Sequence, residues 1–146
     1  MRDEMRCEFC GEMKPPPSVN SIGADICWWN AVEELRELQD RGVSGMYVEG
    51  WGVRRRAGFL EPFQHGWVEL EDGSVYDETP HHHCEKYFSG FRLGDPEKEA
   101  RERGAPIPLH RDLGRFDTDA ALAAGYAHAK EQAETFCREE NGRERG

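Results

Sequence analysis

Three residues of this chain are of the types, and come in the order, that nucleophilic acyl chemistry uses. Cys27 stands ahead of "AVEELRELQD", His65 lies in "FQHGWVEL" and Asp77 in "SVYDET". A thiolate is the reactive form of cysteine, and a helix N-terminus beside an imidazole favours it. A histidine can take the thiol proton and later return it to a leaving group. An aspartate on the far ring nitrogen fixes the tautomer and steadies the imidazolium. The chemistry would be acyl transfer or hydrolysis at an amide or ester: thiolate attack, a tetrahedral intermediate at the helix N-terminus, a thioester, then release by water or amine. Around this set, Asn30 could orient a substrate carbonyl or bond a loop backbone, and Gln64 is a weaker oxyanion candidate than the Cys27 N–H. Trp29 and Trp67, with Trp28, would wall a substrate cleft. Taken singly, a cysteine beside tryptophan and a strand histidine also read as core. Chain order and hairpin context favour the catalytic reading.

The elements that must position these groups are legible in the spacing. Trp28, Val32, Leu35 and Leu38 recur at helical steps, with Asp25 as the N-cap candidate and Gly42 as the stop, so a helix is predicted from Cys27 to about Arg41. "GMYVEGWGV" reads as a strand with close backbone packing. "FQHGWVEL" and "SVYDET" flank "EDG", a hairpin signal in which Gly73 supplies a positive φ. With a three-residue loop, Leu70 faces Ser74, His65 faces Thr79, and Asp77 lies on the His65 face, about 7–8 Å away diagonally. A slip of one residue would put them on opposite faces. "KYFSGFRL" is a further strand. Pro96 and Gly104 bracket a short helix, and Leu122, Tyr126, Ala129, Ala133 and Phe136 mark a long one from Thr118 to about Glu140, with "NGRERG" fraying.

A second cluster has metal-ligand types. "CEFCG" is C-x2-C followed by glycine, the shape of a zinc knuckle, and "HHHC" offers a second pair. Cys7, Cys10, His81 and Cys84 would make a closed tetrahedral structural zinc site. Three adjacent histidines at 81–83 leave that ligand ambiguous, and an exposed loop and a pair of free or redox thiols are the alternatives. Cys137, beside Phe136, is most simply packing.

Composition bounds the rest. The chain has 146 residues, suited to one domain. A net charge of -10 argues against a broad nucleic-acid-binding face, which needs clustered Lys and Arg, and mildly favours a neutral or basic substrate such as a peptide or protein. Only "RRR" at 54–56 is densely basic, and it reads as a solvated hairpin tip. No apolar stretch suits a signal peptide or a membrane span, so a cytoplasmic place is expected, in a bacterial cell or a phage-infected host. Five cysteines then point to thiol or metal chemistry rather than a disulfide framework.

"CWWN", "YVEGWGV", "HGWVELEDGSVYDET" and "YFSGF" together resemble a family of uncharacterised bacterial and phage proteins with the pattern C-x-x-N, Y-V-E-G, H-A-W, D-G-x-V-x-D-x-T and Y-F-G. The His-to-Asp part is similar to transglutaminase-like and papain-like cysteine enzymes. The resemblance covers roughly residues 27–93 and implies Cys27 as nucleophile, His65 as base and Asp77 as orienter. Gly66 stands where the pattern has alanine, and Glu78 breaks the commoner D-P-T. The expected architecture is α+β: the Cys27 helix packed on a small antiparallel sheet, a long C-terminal helix, and a short Cys-rich N-terminal appendage. Residues 1–17 would be the appendage and Pro linker, 18–94 the core, and 95–146 the short helix, loop and long helix. No organic cofactor is expected. The alternative function is a non-catalytic phage or bacterial structural or binding protein with the same fold and a structural zinc.

Overall fold

The computed structural model describes residues 5–6, 13–14, 26–76, 84–114 and 119–145. Two short strands, β1 (Met5–Arg6) and β2 (Met13–Lys14), pair antiparallel on either side of the C-x2-C segment. Helix α1 (Ile26–Asp40) follows, then β3 (Gly45–Arg56), β4 (Phe59–Leu70), β5 (Val75–Tyr76) and β6 (Lys86–Leu93). After them come α2 (Pro96–Arg103), a 3-10 turn (Leu109–Asp112) and α3 (Ala120–Arg145). The four later strands form one antiparallel sheet in the order β5-β4-β3-β6. This is the expected α+β arrangement of a helix on a small antiparallel sheet with a long C-terminal helix.

Local chemistry accounts for the boundaries. Gly42 takes φ +77° and Val43 N–H donates to the Leu38 carbonyl (2.8 Å), which closes α1. At α2 the Asp95 side chain accepts from Lys98 N–H (3.1 Å), Pro96 occupies the first turn, and Gly104 ends the helix at φ +63°. Helix α3 runs past Glu140, where fraying was expected. Asn141 holds it: its side chain accepts from Leu60 N–H and donates to Leu60 C=O, both at 2.9 Å. This fork pins the end of α3 to the β3–β4 hairpin.

Strand alternation gives the sheet two faces. On the first, Tyr47, Glu49, Trp51 and Val53 of β3 lie beside Gln64, Gly66 and Val68 of β4. Both long helices pack here. Trp28 of α1 sits against Gly66, Tyr126 of α3 lies 5.9 Å from Trp51, and Val53 and Leu60 cluster with Ala133 and Cys137. On the second face lie Val48, Gly50 and Gly52 of β3, Phe63, His65 and Trp67 of β4, and Tyr87 of β6. The buried apolar residues of α1 are Cys27, Trp28, Ala31, Val32, Leu35 and Leu38, which include the predicted stripe. Among the described residues no helix is long and apolar enough to cross a membrane.

Candidate functional site

The β4–β5 hairpin has the register expected of it. Leu70 N–H donates to Ser74 C=O (2.8 Å), Glu69 pairs with Val75 and Val68 with Tyr76, and Gly73 supplies φ +87°. Asp77 lies outside the described residues. His65 is fully buried on the second face, its ring 5.3 Å from Phe63, 5.6 Å from Trp67 and 6.1 Å from Tyr87.

Cys27 lies elsewhere. It is the second residue of α1, fully buried on the first face, close enough to Tyr47 and Tyr126 to act on their ionisation. Helix α1, which carries Cys27, and the His65 ring therefore lie on opposite faces of the sheet. Helical periodicity selects the buried side of α1 but not which face of the sheet receives it. Gly66 decides that, because only a residue without Cβ leaves room for the Trp28 ring on β4.

The cleft residues divide in the same way. Trp28 is buried on the first face and Trp29 and Asn30 are half-buried on α1, with Trp29 packed against that core. Trp67 is fully buried on the second face. The three tryptophans do not wall one cleft. Gln64 points to the first face, away from His65, as a regular strand requires, and its side chain acts on Tyr126.

Of the zinc candidates, Cys7, Cys10 and His81 lie outside the described residues. Cys84 precedes β6, half-buried, and its thiol donates to the Lys86 carbonyl (3.0 Å). No group of three or more metal-ligating side chains occurs among the described residues.

The first face holds a polar cluster that sequence reasoning did not single out. Glu49 is fully buried in β3 and accepts four hydrogen bonds. Oε2 takes the Tyr47 hydroxyl (2.6 Å) and Leu109 N–H (2.7 Å), while Oε1 takes His110 N–H and His110 Nδ1, both at 2.8 Å. The His110 side chain is 4% exposed and contacts two rings, stacked on Tyr126 at 4.6 Å and 8° and tilted against Trp28 at 5.3 Å. Burial, with Glu49 beside it, pushes the Tyr47 phenol well up; the same causes raise Tyr126, while Gln64 and Arg111 act against the rise. The available signal was a carboxylate in phase with Tyr47 and Trp51 inside an apolar strand, where an unpaired charge would be costly. Away from this cluster, Phe88 and Phe136 line a groove of about 360 Å³ between β6 and α3, rimmed by Lys86, His128, Glu131 and Glu139.

No protein-family model matches the chain, and comparison with curated proteins and with solved structures finds no match.

Proposed function

We propose that the chain is a cysteine-dependent enzyme of acyl transfer or hydrolysis, acting on an amide or ester, with Cys27 as its nucleophile. The observation that carries this reading is the concentration of titratable groups on one face of the sheet. A first-turn thiol, two phenols, a histidine and a buried carboxylate share a largely apolar core. Such grouping opposes stability unless its members are bonded, and the two phenols, both pushed up by burial and Glu49, are perturbed in the way groups at functional sites often are. Helix α1 supplies its N-terminal field to Cys27, and the Cys27 N–H is the candidate donor to a developing oxyanion. Under this reading His65 belongs to the aromatic packing of the second face. A peptide or protein substrate and a cytoplasmic place belong to the proposal.

The test is thiol reactivity. With iodoacetamide at pH 6, and with peptide mapping to resolve the sites, Cys27 labels faster than Cys137, whose thiol burial pushes up beside Glu61 and Glu134. It also labels faster than in the urea-unfolded chain. Labelling no faster than either standard removes the nucleophile.

The second reading, a non-catalytic structural or binding protein, is favoured by the complete burial of Cys27 and by the separation of Cys27 from His65. Its structural zinc would be held by Cys7, Cys10, His81 and Cys84. The pairing of Met5–Arg6 with Met13–Lys14 supports this, since it brings together the chain on either side of C-x2-C. Cys84, with its sulfur at the β6 entry, is of the soft ligand type the site needs. Protein purified without chelator is expected to contain about one zinc per chain, and Cys84→Ser to lose it. Metal analysis that finds no zinc removes the site.

A further inference from the structure

We propose that β6 and the groove beside it form a docking site for an extended basic peptide, which adds to the sheet as a further strand. This site is separate from the cysteine reading and does not depend on it.

In the order β5-β4-β3-β6, β6 is the last strand, and among the described residues β3 is its only strand neighbour. Every second residue of such a strand turns its N–H and C=O away from that neighbour, a row of groups suited to pairing with another chain. The ladder to β3 is regular from Lys86 to Ser89 and shifts between Glu49 and Gly50, so residues 86–89 keep regular strand geometry.

The groove lies along this stretch. Phe88 pairs with Trp51 and so shares the first face, where α3 crosses the sheet. Lys86 and Phe88 form one wall, and His128, Glu131, Phe136 and Glu139 belong to the α3 wall. No residue of β3 or β4 lines the groove, so it opens along the side of β6 away from β3. A strand added there would bond through its main chain while alternate side chains enter the groove. A helix would instead need a longer apolar groove for anchors spread over two turns.

Charge and aromatic surface define the occupant. The Phe88 and Phe136 rings lie 6.0 Å apart, and Lys86 Nζ lies 4.9 Å from the Phe136 centroid and 5.7 Å from that of Phe88. The floor thus already holds an ammonium over two rings. Glu131 and Glu139 are exposed on the rim and form no ion pair among the described residues. In an added strand, residues two apart share a face. An apolar side chain can therefore pack on Phe88 and Phe136 while a Lys or Arg two residues away meets Glu131 or Glu139. With a net charge of -10, the chain attracts such a peptide and repels an acidic one. A second copy of this chain is a poorer fit. It carries the same charge, and a two-fold β6 pairing centred on Ser89 sets Lys86 opposite Arg92.

The experiment titrates the isotope-labelled full chain with the synthetic peptide acetyl-SRVLVRS-amide, whose arginines and leucine share one face, and with acetyl-SEVLVES-amide. The arginine peptide is expected to shift the amide resonances of β6 and of the α3 wall, to slow exchange of β6 amides about tenfold or more, and to bind about tenfold or more tightly than the glutamate peptide at low salt. The double reversal Glu131→Lys/Glu139→Lys, at two exposed helix positions, is expected to cut affinity for the arginine peptide about fivefold or more, and Lys86→Ala to raise it about twofold. Urea midpoints show that these variants fold. No shift of β6 amides at about 1 mM arginine peptide overturns the site. Equal binding of the two peptides overturns the basic occupant, and shifts on α3 without slowed exchange in β6 overturn strand addition. A dimer that protects the β6 amides in the absence of peptide gives the edge to a second copy and also overturns the proposal.

Discussion

Glu49→Ala is expected to lower the unfolding free energy by about 3–5 kcal/mol, the cost typical of removing one partner from a buried bonded charge set. Domains of this kind have roughly 5–15 kcal/mol in total, so a third or more of the stability is at stake. The physical reason is donor accounting. Removing the carboxylate strands the Tyr47 hydroxyl, Leu109 N–H, His110 N–H and His110 Nδ1, all of which it now accepts. Each buried orphan donor costs about 1–3 kcal/mol, reduced where water or relaxation reaches it. The loss is also topological, because these bonds tie the segment before α3 to the centre of β3. Glu49→Gln keeps the shape and still fails: an amide NH2 must face either Leu109 N–H or His110 N–H, donor against donor, whichever way it is turned. It should therefore fall much closer to the alanine variant than to the wild type. Glu61→Gln is the comparison, since its pairs with Arg54 and Arg56 are partly exposed and should be worth less than about 1 kcal/mol. Urea midpoints at unchanged slope measure all three. A Glu49→Gln variant within about 1 kcal/mol of wild type would mean the carboxylate is not the acceptor of these four donors.

Much of the frame was legible because it is locally encoded. Gly42, Gly73 and Gly104 occupy left-handed turns that end α1, close the β4–β5 hairpin and end α2, and each was readable from composition alone. The apolar steps along α1 identified its buried side. Which surface that side meets was not encoded in the same local way. The hairpin register came out as expected, yet it settled only the face of His65 relative to its own strand. The thiol belongs to another element, whose docking depends on a contact between Trp28 and Gly66, 38 positions apart in the chain. His110 was invisible for a related reason. It sits in the proline-broken segment before α3, with no periodicity to assign it a side, and its importance arises from bonds to Glu49, 61 residues earlier. A buried carboxylate announces that a partner exists, but its spacing does not say which.

Gly66→Ala is the sharper test of that docking, because two local effects predict opposite signs. In a strand interior alanine is favoured over glycine by roughly 0.5–1 kcal/mol through backbone entropy, so propensity alone predicts stabilisation. The packing predicts the reverse. A Cβ at this position would lie 2.4 Å from Trp28 Cδ1 and 3.1 Å from two further atoms of the indole. Trp28 is fully buried, and retreat from β4 is opposed by His110 against its ring and by the α1 backbone that holds it. Overpacking of this sort costs about 1–3 kcal/mol, enough to outweigh the entropy gain at all but its lower end. The expected result is a net loss of stability seen as a lower urea midpoint. Trp28→Phe made in the Gly66→Ala background should recover part of it, since the smaller ring vacates the space the new methyl needs. In the double-mutant cycle the coupling should be at least about 0.5 kcal/mol and favourable. The same displacement would shift the first turn of α1 and with it Cys27, so the two sites are mechanically joined through one indole. Stabilisation by Gly66→Ala, with no coupling to Trp28, would place α1 off β4 and would undo the separation of Cys27 from His65.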